Sequence, residues 1–114
     1  MLYVVATPIG NLEDLSPRAA RVLREVAVVA AEDTRRTATL LRHVGSRAVM
    51  LVADEHHEQR AAQRIAQHLA AGESVALVSD AGTPAISDPG ARIVATLRAE
   101  NWPVVAVPGA CAAA

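Results

Sequence analysis

Short apolar runs alternate with stretches of helical periodicity along the whole chain, and this alternation limits the fold more than any other feature. The runs are Leu2–Ala6, Val28–Ala31, Ala48–Val52, Ser74–Ser79 and Val104–Val107. Each is long enough for a buried strand and too short for a helix. Between them lie segments with apolar residues at helical spacing. Ser16-Pro17 starts the first, whose apolar face is Leu15, Ala19, Val22, Leu23 and Val26. The second runs to His43, turns Leu40, Leu41 and Val44 inward, and stops at Gly45. The third carries Ala62, Ile65, Ala66 and Leu69 and closes at Gly72. The fourth follows Asp88-Pro89, where Asp suits a cap and Pro the first helical position, and it buries Ile93, Val94 and Leu97. Strand–helix alternation of this kind predicts an α/β fold: a five-stranded, largely parallel sheet with helices on both faces.

The 114 residues suffice for one domain with a real core. Apolar residues make up 52% of the chain and Phe is absent, so that core is built from many small contacts. A net charge of −1 argues against a general nucleic-acid binder while leaving room for a local arginine patch. The single cysteine, Cys111, excludes an internal disulfide and fits a reducing compartment. No apolar run reaches the length of a membrane span, and Met1 leads directly into a strand without a signal pattern. These features predict a cytoplasmic protein with no membrane association.

Right-handed crossovers place the carboxyl ends of parallel strands on one edge. Five loops then meet there: Thr7–Asp14, Glu32–Thr37, Ala53–Glu58, Asp80–Gly90 and Pro108–Cys111. Nearly every unusual residue of the chain lies in one of them, whereas the other edge has plain turns such as Gly45-Ser46 and Gly72-Glu73. The stretch Leu77–Gly90 reads as strand, loop and helix, and its loop is longer than a connector needs. Loops at strand carboxyl ends line the ligand crevice of open α/β sheets.

Three loops are rich in Pro, Gly and small side chains: Thr7–Asn11, Ala81–Ala85 and Pro108–Cys111. Small residues let a ligand approach the backbone closely. No G-x-G-x-x-G follows the first strand, no G-x-x-x-x-G-K occurs, and Lys is absent altogether. A neutral or zwitterionic ligand fits these loops better than a polyphosphate. The other two loops hold the reactive side chains. Glu32, Asp33, Arg35 and Arg36 read equally well as substrate contacts or as a capped helix start. His56, His57 and Glu58 are adjacent rather than spaced as zinc ligands, and a solvated helix start explains them. No metal site is expected. Asp80 at a strand end raises a phosphatase nucleophile, but the acid usual two residues later is Gly82. Cys111 reads as a small packing residue.

Four stretches carry a resemblance to a known family. They are Tyr3–Leu15, Ala31–Thr37, Ala76–Gly90 and Val107–Ala112, in that order along the chain. With these motifs the chain resembles the tetrapyrrole-methylase superfamily. Within it, the match is to the ribosomal branch, whose members 2′-O-methylate a ribose of a decoding-site cytidine in small-subunit (16S) rRNA. At His56-His57-Glu58 that branch commonly has His-Asn-Glu, so His57 departs from the pattern. The resemblance implies an S-adenosylmethionine-dependent methyltransferase of two α/β domains, with the cofactor between them, commonly a homodimer. Residues 1–108 would be the first domain and 109–114 the start of the link to a second. Carried over by motif, the cofactor loops hold Pro8, Ile9 and Gly10; Asp80, Ala81, Gly82, Thr83 and Ile86; and Pro108, Cys111 and Ala112.

By the same resemblance a ribose 2′-OH attacks the sulfonium methyl in line, and positioning of the reactants is the enzyme's main task. Glu32, Asp33 and His56 are candidate bases for the hydroxyl proton, and the sequence does not choose among them. Arg35 and Arg36 are candidate phosphate contacts. Tyr3 and Trp102 are the only aromatic residues, which argues against a base-stacking platform. Two other readings stay open: methylation of a corrin or another small molecule, and a metal-dependent phosphate hydrolase using Asp80. A shortened chain of this kind is expected to be inactive alone.

Overall fold

The computed structural model describes residues 1–7, 12–79 and 89–107. Its strands are β1 (Leu2–Ala6), β2 (Val28–Ala31), β3 (Val49–Val52), β4 (Val75–Ser79) and β5 (Val104–Val107). Its helices are α1 (Pro17–Glu25), α2 (Thr34–Val44), α3 (Glu58–Ala70) and α4 (Gly90–Ala99). The strands form one sheet in the order β3-β2-β4-β1-β5, and every pairing is parallel. The predicted α/β sheet is therefore the fold of the chain.

Side chains alternate across each strand, and the two faces collect different helices. Leu2, Val4, Val28, Ala30, Val75 and Leu77 point to one face, where α3 and α4 pack through Ile65, Leu69, Ile93 and Leu97. Val5, Val29, Ala31, Ala76 and Val78 point to the other, against Ala19, Val22 and Leu23 of α1 and Leu40, Leu41 and Val44 of α2. Strands buried on both faces read as continuous apolar runs, which is why β1, β2 and β4 lack polar alternation, whereas the edge strands β3 and β5 are only partly buried. Leu23, Ile65 and Leu97 are wholly buried, each contributing about 1.5–3 kcal/mol of burial free energy.

The helix boundaries follow local chemistry. Ser16 caps α1, accepting the Ala19 N–H at 3.1 Å, with Pro17 in the first turn. Three helices stop in the same way. An N–H just past the helix end bonds back to a carbonyl five residues earlier: Ser46 to Leu41, Glu73 to His68 and Trp102 to Leu97. The residue before each of these donors is left-handed: Gly45 (φ 77°), Gly72 (φ 83°) and Asn101 (φ 67°).

Boundaries differ from expectation at four points. β3 begins one residue late because the Ala48 N–H is taken by Ser46 Oγ at 3.2 Å. β4 begins at Val75, although the Ser74 carbonyl still accepts the Ala27 N–H. α2 continues one residue past His43 to Val44. Pro89 occupies the cap of α4 rather than its first turn, and its carbonyl accepts from Arg92 and Ile93. Asp88, expected to be that cap, lies outside the described residues.

Candidate functional site at the carboxyl edge of the sheet

Connections leave the strands in a pattern that makes β4 a switch strand. The chain passes from β1 and from β2 to helices on one face, α1 and α2. From β4, which lies between them, it passes to α4 on the opposite face. Neighbouring strands that send their connections to opposite faces create the switch point where α/β sheets bind ligands. The long loop expected within Leu77–Gly90 follows β4 and therefore starts at this point.

The strand ends at the switch point are tied together. The Ser79 carbonyl accepts two hydrogen bonds from Thr7, one from the backbone N–H at 2.8 Å and one from Oγ1 at 3.0 Å. Thr7 and Ser79 are each 5% exposed, so both bonds lie in the dry end of the sheet. The register continues the β1–β4 pairing, in which Ala6 faces Ser79. Sequence reasoning passed over this pair. The available signal was a hydroxyl residue ending an apolar run in each of two neighbouring motifs.

The next strand end carries the acidic and basic cluster. Asp33 is the cap of α2, its Oδ1 accepting the Arg36 N–H at 3.1 Å. Thr37 is 2% exposed and packs inward with the core. Glu32, Arg35 and Arg36 are exposed. The motif thus divides: Asp33 and Thr37 build the helix, while Glu32, Arg35 and Arg36 face solvent.

At the end of β3, Asp54 caps a single 3-10 turn, Glu55–His57, that leads into α3. Its Oδ1 accepts the His57 N–H at 3.0 Å and meets His57 Nδ1 at 2.6 Å. The hydrogen bond from His57 holds the Asp54 carboxyl below its ordinary value, against an opposing effect of desolvation. His56 is exposed on the same turn. Glu58, at the start of α3, meets Arg92 of α4 at 2.7 Å and closes one side of the edge. The helix-start reading of His56, His57 and Glu58 matches this geometry.

Glu32, Asp33, Arg35, Arg36 and His56 therefore share the carboxyl edge with Thr7 and Ser79, on adjoining strands. The expected cofactor residues Pro8, Ile9, Gly10, Asp80, Ala81, Gly82, Thr83, Ile86, Pro108, Cys111 and Ala112 lie outside the described residues. The described strand ends that lead into their three loops, β1, β4 and β5, are consecutive in the sheet as β4-β1-β5. At the ends of β1 and β4 the side chains are small, Ala6, Thr7 and Ser79, as close approach to a bound group requires.

Elsewhere, a groove of about 310 Å³ runs between Glu58, Gln59 and Gln63 of α3 and Thr96 and Glu100 of α4. Its carboxylates and lack of a cation suit no phosphate. Among the described residues no three His, Cys, Asp or Glu side chains converge as metal ligands. No helix among them is long and apolar enough to cross a membrane.

Comparison with known proteins identifies relatives of this arrangement. The chain is 56% identical over 111 residues to a protein of Pseudomonas aeruginosa named ribosomal RNA small subunit methyltransferase I, matching 97% of this chain and 39% of that protein. A protein of the same name from Xylella fastidiosa is 55% identical over 108 residues, which is 95% of this chain and 40% of that protein. The chain thus spans about two-fifths of the length of these relatives.

Among solved structures, a cobalt precorrin-4 methyltransferase superposes with a TM-score of 0.81 at 20% identity, over 96% of this chain and 45% of that one. The uroporphyrin-III C-methyltransferase of Thermus thermophilus, solved with S-adenosyl homocysteine, superposes with a TM-score of 0.74 at 23% identity, over 96% of this chain and 48% of that one. At such identities these two structures speak for the fold. The family model for tetrapyrrole (corrin/porphyrin) methylases matches residues 1–114, the whole chain. A parallel sheet switched at β4, solved structures of the same architecture and a family match from end to end agree, and the chain belongs to the tetrapyrrole methylase family.

Proposed function

We propose that this chain is the first α/β domain of an S-adenosylmethionine-dependent methyltransferase that 2′-O-methylates a cytidine ribose in the decoding region of 16S rRNA. The observation that carries this reading is the 56% identity, over nearly the whole chain, to a small-subunit rRNA methyltransferase. In this reading residues 1–108 form the domain and 109–114 begin the link to a second one. The whole protein works in the cytoplasm as a homodimer.

When bound, S-adenosylmethionine supplies the methyl group. The chain's own residues have three tasks. The loops after β1, β4 and β5, including Gly10, Gly82 and Pro108, would hold the cofactor at the switch point, and the Thr7–Ser79 pair keeps two of those loops in register. Arg35 and Arg36, exposed on the first turn of α2, would hold RNA phosphate as permanently charged donors. Glu32 or His56 would take the hydroxyl proton. Asp33 suits that role less, because its carboxylate is engaged at the helix cap.

The alternative of a small tetrapyrrole substrate draws only on likeness of fold. Family membership gives no support to a phosphate hydrolase using Asp80. The deciding experiment is transfer of labelled methyl from S-adenosylmethionine to 30S subunits, followed by mapping of the product by its resistance to alkaline cleavage at one cytidine. Label in the RNA at that position is the expected result. Label only in a corrin or porphyrin acceptor would overturn the proposal.

A further inference from the structure

The two helical layers of the molecule carry unequal charge. Residues 16–47, which form α1, β2 and α2, hold seven arginines against three carboxylates, Glu25, Glu32 and Asp33, a net charge of +4. The described residues from 48 onward hold Arg60, Arg64, Arg92 and Arg98 against five carboxylates, Asp54, Glu55, Glu58, Glu73 and Glu100, a net charge of −1. A chain that is almost neutral as a whole is therefore basic on one side of its sheet.

This basic side extends away from the candidate site. Both α1 and α2 start at the carboxyl edge and run toward the amino edge, because each joins one parallel strand to the start of the next. At their starts, Glu13, Asp14, Glu32 and Asp33 offset Arg18, Arg35 and Arg36. Further down, Arg21, Arg24, Arg42 and Arg47 face only Glu25. All four are exposed, and none forms an ion pair with a carboxylate among the described residues. A last-turn arginine complements the negative end of its own helix, but that explains Arg24 and Arg42 no better than Arg98 of α4. It does not explain Arg21 or Arg47.

We propose that the outer face of α1 and α2, through Arg21, Arg24, Arg42 and Arg47, is a second contact surface for the phosphate backbone of a structured RNA. This rests on the RNA reading given above. At about 1.5 Å per residue, Arg21, Arg24 and Arg42 sit roughly 6–12 Å down from the starts of their helices, and Arg47 lies beyond the end of α2. A tetrapyrrole held at the edge would not extend along them, whereas a folded RNA presents phosphates over that span. Guanidinium groups suit the task, since each offers several donors and stays charged at every working pH. Such contacts orient the RNA without reading its sequence.

Two triple variants of the full-length protein test the surface, each removing three exposed arginines. One is Arg21→Gln, Arg42→Gln, Arg47→Gln. The other, on the opposite layer, is Arg60→Gln, Arg64→Gln, Arg98→Gln. Binding of a fluorescein-labelled decoding-region hairpin of 16S rRNA is measured against salt, with S-adenosylmethionine affinity and melting temperature confirming the fold.

The first variant should lower the slope of log affinity against log salt by about 2 and weaken binding roughly tenfold at 0.1 M salt, because each lost phosphate contact releases fewer counterions. The second should leave both unchanged. Equal effects of the two variants, or none from the first, overturn the proposal. If those results come with a slope that still falls for Arg35→Gln with Arg36→Gln, the RNA reading survives and only the second surface is lost. Absence of salt-dependent binding by the unaltered protein overturns both.

Discussion

Single side chains at the carboxyl edge serve structure and chemistry together, and substitutions can separate the two. Asp33 accepts the Arg36 N–H, so Asp33→Ala should cost about 1 kcal/mol of stability, while Asp33→Asn keeps the cap and costs a few tenths at most. If Asp33 is only a cap, Asp33→Asn also keeps methyl transfer in the full-length protein; a loss of more than about a hundredfold in rate would mark it as the base. Thr7→Val removes the Oγ1 bond but leaves the backbone bond to the same carbonyl, so it should lower stability by about 1 kcal/mol in chemical denaturation. The Asp54–His57 pair gives a pH effect of defined sign. A carboxyl held below its ordinary value stabilises the fold above that value, and the contribution is lost as pH falls through the lowered one. His57→Asn should return the Asp54 midpoint toward the ordinary carboxylate range in an NMR titration, and an unmoved midpoint would contradict the assigned cause.

At the scale of the element, helix ends decide where the chain turns back to the sheet. Three helices end on a left-handed residue, and the residue type differs among them. A Cβ at Gly45 would meet nothing within 4 Å, so Gly45→Ala isolates the backbone cost of φ 77°, about 1 kcal/mol. Asn101→Gly, at φ 67°, should run the other way and be neutral or stabilising by a few tenths. Paired melting curves check both signs. If Gly45→Ala were as stable as the parent, the left-handed stop would not hold there. Both stops lie at the amino edge, away from the candidate site, so neither substitution should alter cofactor affinity.

Across the whole molecule, the arrangement of the loops matters more than any one of them. The chain spans about two-fifths of its relatives' length, and in the proposed function the cofactor would lie between this domain and a second one. Residues 1–114 alone should therefore fold and yet fail to methylate RNA. The sheet closes at β5, with Val107 2% exposed, so the core is complete before residue 108. Alignment of methyl donor and hydroxyl would nonetheless be lost, and positioning accounts for roughly 7–11 kcal/mol of such a barrier. Labelled-methyl transfer by residues 1–114, beside a protein extended past Ala114, measures this. Comparable turnover by both would show that one domain suffices.

Periodicity determined the elements of this protein, because burial imposes it directly. A strand covered on both faces must be apolar throughout, and a helix on a sheet must be apolar every third or fourth residue. β1 and β2 consequently matched their sequence runs residue for residue, and so did β5, although it lies at the sheet edge and is only partly buried. Gly45 and Gly72 marked helix ends for an equally local reason, the cost of a left-handed turn. The gathering of the polar strand ends Glu32–Thr37 and Ala53–Glu58 on one edge also followed from sequence, because parallel strands end on the same side of the sheet. Only the tertiary structure decided the order β3-β2-β4-β1-β5, since nothing local says which apolar run lies beside which. That order makes β4 the switch strand and brings Thr7 against a carbonyl 72 residues away. It also sorted the helices by face, and so turned a chain of nearly zero net charge into a molecule with one basic side. Charge along a sequence sums without regard to direction, whereas a folded surface separates what faces one way from what faces the other.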